Sequence, residues 1–192
     1  MEKKFKINNF IGVFDNFLEH KYCDSIINMF EKNKNNLAYS RIQAEKVAAN
    51  VKNDMAMDIT KHNNWSGEFE MLCQSITECL KIYDKETSFF NFCSIKELHF
   101  TNMKIQKTIP GGGYHVWHVE RNYSQFCKRA LVFSVYLNSI DDGGETEFLL
   151  LNQRVNSVKG RICIFPSDFP FVHRGNPPLQ GEKYIVTSWL VA

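Results

Sequence analysis

The second half of the chain alternates short apolar segments with Gly-, Pro- and Asp-rich turn signals, and this spacing constrains the fold more than any other feature. The apolar segments lie at 98–108, 130–138, 146–151, 160–165, 169–173 and 184–191. The breaks between them include Pro110-Gly-Gly-Gly113, Asp141-Asp-Gly-Gly144 and Gly175-Asn-Pro-Pro178. Strands this short, separated by turns of this kind, are typical of an antiparallel sandwich or jelly roll and argue against a parallel sheet.

Before residue 95 the apolar side chains follow a helical period instead. Segments 16–30 and 66–83 each place their apolar residues on one face, and Ser66 is a candidate N-cap for the second. The polar stretch 33–64 has room for a short strand or helix near 47–59. We interpret it either as a lid or partner-contacting loop or as a surface insertion.

The two halves together predict a single α+β domain, dominated by β structure, over residues 1–192. Residues 1–95 form its helical part, with 33–64 as a variable loop, and residues 96–192 form the jelly-roll core. The helices are expected to pack on the outside of one sheet, because an apolar helix stripe must be buried against another layer.

The charge balance and the cysteines limit the partners and the compartment. Lys and Arg total 23 against 21 Asp and Glu, which leaves a net charge of +2 and argues against nucleic-acid and membrane-surface binding. No apolar run approaches the ~20 residues of a membrane span. The six cysteines are widely spaced, without a Cys-x-x-Cys pair, and predict a cytoplasmic chain with reduced thiols.

A possible metal site begins at His118-x-Glu120. Residues two apart in a strand point to the same face, roughly 6–7 Å apart, so both side chains could reach one cation, whereas His115 would face away. His173 follows 55 residues after His118, and two histidines with one carboxylate form the facial triad that suits non-haem iron(II). The alternative is that these are ordinary histidines, since a chain with six histidines shows such a pattern by chance.

Lys183 opens the last apolar segment and shares one strand face with Ile185, Thr187 and Trp189. If that face points into a barrel, the buried ammonium needs an anion as partner. A dicarboxylate that chelates the metal at one end could supply this anion at the other. Alternatively, Lys183 is the solvated first residue of its strand.

Several segments carry a resemblance to a known family. They are His118-x-Glu120, Arg129-Ala-Leu-Val-Phe-Ser-Val-Tyr-Leu-Asn138, Asp141-Asp-Gly-Gly-Glu-Thr-Glu-Phe148, Lys159-Gly-Arg-Ile-Cys-Ile-Phe-Pro166, His173 and Lys183-Tyr-Ile-Val-Thr-Ser-Trp189. In this order and spacing they resemble the prolyl 4-hydroxylase group of 2-oxoglutarate- and iron(II)-dependent oxygenases, in particular small forms from bacteria and marine phages. The resemblance covers residues 98–191, with a weaker likeness after Val13-Phe-Asp-Asn-Phe17.

This resemblance implies a double-stranded β-helix in which His118, Glu120 and His173 bind iron and Lys183 binds the distal carboxylate of 2-oxoglutarate. Fe(II), 2-oxoglutarate and O2 are the implied cofactors, with ascorbate as a candidate reductant. The implied reaction converts 2-oxoglutarate to succinate and hydroxylates a side chain, with proline in a peptide or protein as the leading candidate. The alternatives are hydroxylation of a free amino acid, small molecule or nucleobase, and a non-catalytic binding module. The expected location is the cytoplasm of a bacterium or a phage-infected cell.

The sequence departs from the family pattern at two places. The carboxylate ligand is Glu120, where aspartate is more common. The usual tyrosine before the first ligand is not obvious, since Thr108, without an assigned role, is near its place and Tyr114 is closer to His118. Five further residues are candidates for lining the pocket: Tyr114, Trp117, Arg129, Thr187 and Trp189. Plain packing is the alternative for the aromatic residues, and a surface position at a strand end is the alternative for Arg129.

Overall fold

A computed structural model describes residues 2–121 and 126–192. Its strands are β1 (Lys4–Asn8), β2 (Ile11–Asp15), β3 (Tyr39–Ser40), β4 (Lys52–Asn53), β5 (Met55–Asp58), β6 (His99–Phe100), β7 (Lys104–Thr108), β8 (Gly113–His118), β9 (Arg129–Tyr136), β10 (Thr146–Phe148), β11 (Gln153–Val155), β12 (Arg161–Pro166), β13 (His173–Gly175) and β14 (Lys183–Val191). The helices are α1 (His20–Leu37), α2 (Arg41–Glu45), α3 (Ser66–Thr87) and α4 (Phe89–Phe92), and short 3-10 turns cover Ile59–Lys61 and Asn63–Trp65.

The strands form two antiparallel sheets. The major sheet has the order β1-β2-β12-β9-β14-β7-β5-β3, with β6 paired to β14, and the minor sheet has the order β11-β10-β13-β8-β4. Neighbours that are distant in sequence, such as β9 and β14, require the crossed connections of a jelly roll. The predicted double-stranded β-helix is therefore confirmed.

The main apolar core lies between the major sheet and the long helices. Phe30 of α1 and Ile76 of α3 are fully buried there, against sheet residues that include Phe133 and Ile164. A second, smaller cluster fills the space between the two sheets and includes Phe148. The prediction that the helices cover one sheet is confirmed, because burial of their apolar stripes requires a partner layer.

The helix boundaries differ slightly from those predicted. α1 begins at His20 rather than at residue 16, since Asn16 adopts a left-handed conformation with φ of 64° that a helix does not accommodate. Ser66 is the first residue of α3, and Trp65 takes the N-cap position. Within the described residues, no helix has both the length and the apolar character that crossing a bilayer requires.

An N-terminal β-hairpin was not predicted. β1 pairs with β2, and β2 in turn pairs with β12, so the first residues of the chain extend the major sheet. Asn9 and Phe10 connect the two strands with φ values of 48° and 60°. Such a two-residue turn is usually marked by Asn-Gly or Asp-Gly. Phenylalanine in the left-handed region is uncommon, so the hairpin lacked its normal sequence signal.

Segment 33–64 contains three short strands, and two of them lie within 47–59, where the sequence left room for a strand or helix. After the end of α1, its strands β3 and β5 join the major sheet through β7, and β4 joins the minor sheet through β8. The segment therefore bridges the two sheets at one end of the jelly roll. We call residues 39–58 the bridging segment. Its polar composition concealed strands of only two to four residues.

Several later strands begin or end at other residues than predicted. Segment 98–108 contains two strands, β6 and β7, with a break between them. The strand predicted at 169–173 begins only at His173, and β11 had not been predicted. Short strands give few residues over which alternation can be recognised, so their limits are the least certain part of a sequence interpretation.

We expect Phe14→Ala to lower the free energy of unfolding by about 3–5 kcal/mol, since it removes a fully buried ring from the core. The ring packs edge-on against Phe17, with centroids 5.5 Å apart. Denaturant unfolding followed by circular dichroism measures the change. Phe5→Ala is the matched control on the same hairpin, because Phe5 is 48% exposed and should cost only about 1 kcal/mol. Equal losses for the two variants would contradict the placement of the hairpin.

Candidate metal centre

Two histidines and a glutamate converge between the sheets. β8 and β13 are neighbours in the minor sheet, and their register sets His118 directly opposite His173. Glu120 lies two residues beyond His118, and its backbone N–H donates to the carbonyl of Ser167 at 2.9 Å. Glu120 Oε1 is 3.4 Å from His118 Nε2 and 3.8 Å from His173 Nε2. One candidate ligand atom from each residue lies within 4.8 Å of the other two.

Backbone carbonyls orient both imidazoles. Nδ1 of His118 is 3.0 Å from the Val116 carbonyl oxygen, and Nδ1 of His173 is 2.9 Å from that of Phe171. A carbonyl oxygen can only accept, so we assign the proton of each ring to Nδ1, which leaves the lone pair of each Nε2 directed at the common centre. Burial, together with the nearby charge of His118, lowers the pKa of His173 to about 4 and favours the neutral ring that a metal requires.

The Glu120 carboxylate is ionised and held in place. Burial alone would raise its pKa, but the hydrogen bond and charge that His118 offers when protonated, with the charge of protonated His173 and that of Arg129, lower it to about 2. Arg129 Nη1 donates to the Glu120 carbonyl oxygen at 3.0 Å and to Oε2 at 3.1 Å. Oε1 therefore faces the imidazoles while Oε2 is occupied by the guanidinium.

Arg129 lies inside the site and not on the surface. Its guanidinium carbon is 3.5 Å from the ring centroid of Trp189 and 3.7 Å from that of Phe126. The stacking fixes the plane of the guanidinium, so that its N–H groups point at Glu120. Arg129 thus lines the cavity, whereas the sequence had left a surface position at a strand end open.

The triad opens into a cavity of about 350 Å³ between the two sheets. The cavity floor is formed by one face of β14, with Lys183, Ile185, Thr187 and Trp189, and one face of β7, with Lys104, Gln106 and Thr108. The alternation predicted for the last strand therefore holds. Thr187 donates from Oγ1 to Gln106 Oε1 at 3.1 Å, and Thr108 lies opposite Lys183 in the register.

Lys183 is a buried cation at one end of this floor. Only 4% of the residue is exposed, and the ring of Tyr136 lies 5.6 Å from its Nζ. Burial lowers the pKa of Lys183 to about 8, although the charges of Glu145 and Asp54 act in the opposite direction. Within residues 2–121 and 126–192, no carboxylate oxygen lies within 4.0 Å of this ammonium. The interpretation of Lys183 as a solvated strand end is wrong.

The remaining predicted residues divide between the cavity and the outside. Tyr114 lines the cavity and stacks on the His118 ring, with centroids 3.7 Å apart and an interplanar angle of 20°. Trp117 does not line it, which corrects the prediction. Trp117 precedes His118 in β8 and so points to the opposite face of the sheet, where its ring lies 4.4 Å from the guanidinium of Arg174.

Sequence reasoning missed the charged wall of the cavity, which the bridging segment supplies. Glu45 lies at its centre: Oε1 is 2.9 Å from Arg41 Nε, and Oε2 is 2.9 Å from Lys52 Nζ. Arg41 Nε is also 3.4 Å from Oδ1 of Asp54, whose pKa burial raises to about 6. Lys52 Nζ lies 4.0 Å from the ring centroid of Tyr114. These charged residues lie in a polar stretch of the sequence, where nothing indicates that they are buried, so the sequence alone could not identify them.

Comparison with known families gives one match that covers the β core. The 2OG-Fe(II) oxygenase superfamily matches residues 98–191. A PKHD-type hydroxylase of Synechococcus sp. strain CC9902 is 29% identical over 138 residues, which are 69% of this chain and 60% of that protein. A second, from Synechococcus sp. strain CC9605, is 24% identical over 106 residues, 52% of this chain and 45% of its own. This chain therefore spans three fifths or less of the length of these relatives.

Solved structures share the fold along nearly the whole chain. The viral collagen prolyl hydroxylase of Paramecium Bursaria Chlorella virus-1, in its 2OG complex, aligns with a TM-score of 0.71 and 20% identity over 96% of this chain and 97% of that one. A Pseudomonas putida prolyl-4-hydroxylase aligns with a TM-score of 0.72 and 16% identity, over 95% of this chain and 93% of that one. A Trichoplax adhaerens prolyl hydroxylase in complex with a hypoxia inducible factor peptide aligns with a TM-score of 0.73 and 16% identity, over 96% of this chain and 84% of that one.

At these identities the structural likeness establishes the fold alone. The matched residues 98–191 include the two histidines, the glutamate and the buried lysine. The β core of the chain, residues 98–191, is similar to the 2OG-Fe(II) oxygenase superfamily.

Proposed function

We propose that this protein is a dioxygenase that depends on iron(II) and 2-oxoglutarate. The observation that carries the proposal is the convergence of two Nε2 atoms and one carboxylate oxygen within 4.8 Å, in the same cavity as a buried lysine that has no carboxylate partner among the described residues. Two imidazoles and one carboxylate suit iron(II) and leave coordination positions open. A buried ammonium suits the far end of a diacid.

In this proposal each residue has one task. His118, Glu120 and His173 hold the metal, and Lys183 binds the distal carboxylate of 2-oxoglutarate. Arg129 keeps one oxygen of Glu120 occupied, so that the other is presented to the metal. When bound, iron and 2-oxoglutarate supply the activation of O2, with decarboxylation of 2-oxoglutarate to succinate and insertion of one oxygen atom into a substrate C–H bond.

The proposed substrate is proline within a peptide or protein. The support is that the structural neighbours are named as prolyl hydroxylases, one of them in complex with a peptide. We further propose ascorbate as the reductant that keeps the iron ferrous. The six free cysteines favour the cytoplasm, of a bacterium or a phage-infected cell, as the setting of the reaction.

The direct test is succinate formation by the purified protein with Fe(II), 2-oxoglutarate and O2, with and without proline-containing peptides. We expect iron-dependent succinate without peptide, more of it with a substrate peptide, and a gain of one oxygen atom on that peptide by mass spectrometry. No iron-dependent succinate under any condition would reject the oxygenase proposal. Oxygen gained by a free amino acid, and by none of the peptides, would reject the peptide substrate alone.

The affinity for 2-oxoglutarate should depend on pH through Lys183. Its pKa of about 8 means that the ammonium is present below pH 8, and that above it binding must first take up a proton. We therefore expect a Kd that is nearly constant below pH 7, about doubles by pH 8 and then approaches a tenfold rise per pH unit, in titrations with Mn(II) in place of iron. Lys183→Arg is the control, because its guanidinium stays charged and should remove the rise. The same rise in that variant would assign the titration to another group.

A further inference from the structure

The cavity floor has a second lysine at the end opposite Lys183. Lys104 and Lys183 lie on adjacent strands and face the same cavity, with Lys104 paired to Thr187 and Lys183 paired to Thr108. Lys183 and Thr187 are four residues apart along β14, which corresponds to roughly 13 Å at ~3.3 Å per residue. The two lysines are therefore placed at opposite ends of the floor.

One molecule of 2-oxoglutarate cannot occupy both ends. Its two carboxyl carbons are separated by roughly 5 Å, given C–C bonds of ~1.5 Å. If Lys183 binds its distal carboxylate, the other carboxylate is directed to the metal and not to Lys104. The function proposed above therefore assigns no role to Lys104.

Lys104 has no carboxylate in direct contact among the described residues, although the charges of Glu45 and Asp58 act on it from farther away. In the part of the chain that the structure describes, no carboxylate oxygen lies within 4.0 Å of its ammonium. Its cross-strand neighbour Asp58 accepts hydrogen bonds from Thr60 and Asn102 and lies 3.4 Å from Lys61. Burial, followed by the charge of Arg41, lowers the pKa of Lys104. The ring of Trp189 lies 6.0 Å from Nζ.

The cavity as a whole has a positive excess that the proposed cofactors do not remove. The cationic side chains among its described lining residues are Arg41, Lys52, Lys104, Arg129 and Lys183, and the acidic ones are Glu45, Asp54 and Glu120. Five cations against three anions leave an excess of two. Iron(II) and the 2-oxoglutarate dianion cancel each other, so the excess of two persists in the loaded site. A buried excess of this kind favours an anionic ligand.

We propose, on the basis of the oxygenase function above, that the primary substrate carries an anionic group, a carboxylate in the first instance, and that Lys104 binds it. Lys104 is then a specificity-determining residue. The charge of Arg41, which Glu45 and Asp54 hold in place, adds to the attraction at the same end of the floor. The carboxylate comes either from an acidic residue beside the target in a peptide or from a free amino acid.

The experiment compares ligand pairs that differ only in charge. One arm uses short proline peptides with Glu or Gln beside the proline, and the other uses free glutamate with glutamine and free aspartate with asparagine. Binding is measured calorimetrically on the protein loaded with Mn(II) and 2-oxoglutarate, and stimulation of succinate formation is measured with Fe(II). We expect the acidic member of at least one pair to bind at least about tenfold more tightly than its amide, because a charge-assisted contact favours it.

Three variants assign the preference to Lys104. Lys104→Gln should bring the acid-to-amide ratio to near one, and Lys104→Arg should restore most of it. The ratio is taken within each variant, so a general loss of activity cancels. Lys61→Gln is the control, since this nearby lysine is exposed and lies outside the cavity lining.

Equal binding of acid and amide by the wild-type protein in both arms, or no binding of any acid at millimolar concentration, would overturn the inference. A preference that persists in Lys104→Gln would also overturn it. The two proposals fail separately. Iron-dependent succinate without any acid preference removes the anionic substrate alone, whereas a Lys104-dependent acid preference without iron-dependent succinate removes the oxygenase function and leaves the anion site.

Discussion

His118→Ala and His173→Ala will each reduce iron-dependent succinate formation to below about 1% of the wild-type rate, because loss of an outer partner of a metal ligand already costs 10–100-fold. Each replacement leaves the metal with one imidazole and one carboxylate. Binding of Mn(II), followed by electron paramagnetic resonance, should weaken in parallel. The two measurements together separate loss of the metal from loss of chemistry on a metal that is still bound.

His115→Ala is the matched control for both variants. His115 lies on the same strand as His118 but outside the cavity lining, so its removal tests whether any histidine of β8 is needed for folding. We expect near wild-type activity and metal affinity. Full activity in His118→Ala or His173→Ala, or an equal loss in His115→Ala, would contradict the assignment of the ligands.

Lys183→Ala will raise the KM for 2-oxoglutarate by about 10- to 100-fold, which corresponds to the 1.5–3 kcal/mol of a charged hydrogen bond. Mn(II) affinity measured without 2-oxoglutarate should stay near the wild-type value, since Lys183 is not one of the clustered ligand groups. This division between cosubstrate and metal distinguishes an anion-binding residue from a general structural one. An unchanged KM would show that the distal carboxylate binds elsewhere.

Lys183→Met provides an independent check on the same lysine. It replaces a buried ammonium that has no carboxylate within 4.0 Å in the described residues with an apolar side chain of similar length. We expect the ligand-free variant to have a higher Tm than the wild type, because an unpaired buried charge costs stability. A higher Tm combined with weaker 2-oxoglutarate binding would show that the residue is retained for binding and not for folding.

The parts of the site that could be predicted are those that depend on short-range strand geometry. The spacing of His118 and Glu120 and the alternation from Lys183 to Trp189 follow from a period of two, and both are seen in the structure. The period alone did not exclude ordinary positions for these residues. The resemblance of the ordered motifs over residues 98–191 to an oxygenase family favoured the metal site over ordinary positions.

The parts that could not be predicted depend on tertiary placement. Arg41 and Lys52 belong to a polar stretch, and only the pairing of the bridging segment with both sheets brings them to the cavity. Arg129 was ambiguous because its role depends on stacking with Trp189, which is 60 residues away in sequence. Trp117 was a candidate for lining the pocket, although alternation along the strand with His118 already directs it to the opposite face.

If Lys183 binds 2-oxoglutarate as proposed, its buried ammonium links the stability of the folded protein to the supply of that diacid. A diacid that neutralises this charge binds the native state and not the unfolded chain, and at a hundredfold excess over Kd such a ligand adds about 2.7 kcal/mol. Starvation for 2-oxoglutarate would then expose more of the enzyme to proteolysis, and abundant 2-oxoglutarate would protect it. The amount of active protein in a cell would follow the supply of its own co-reactant without any dedicated regulator.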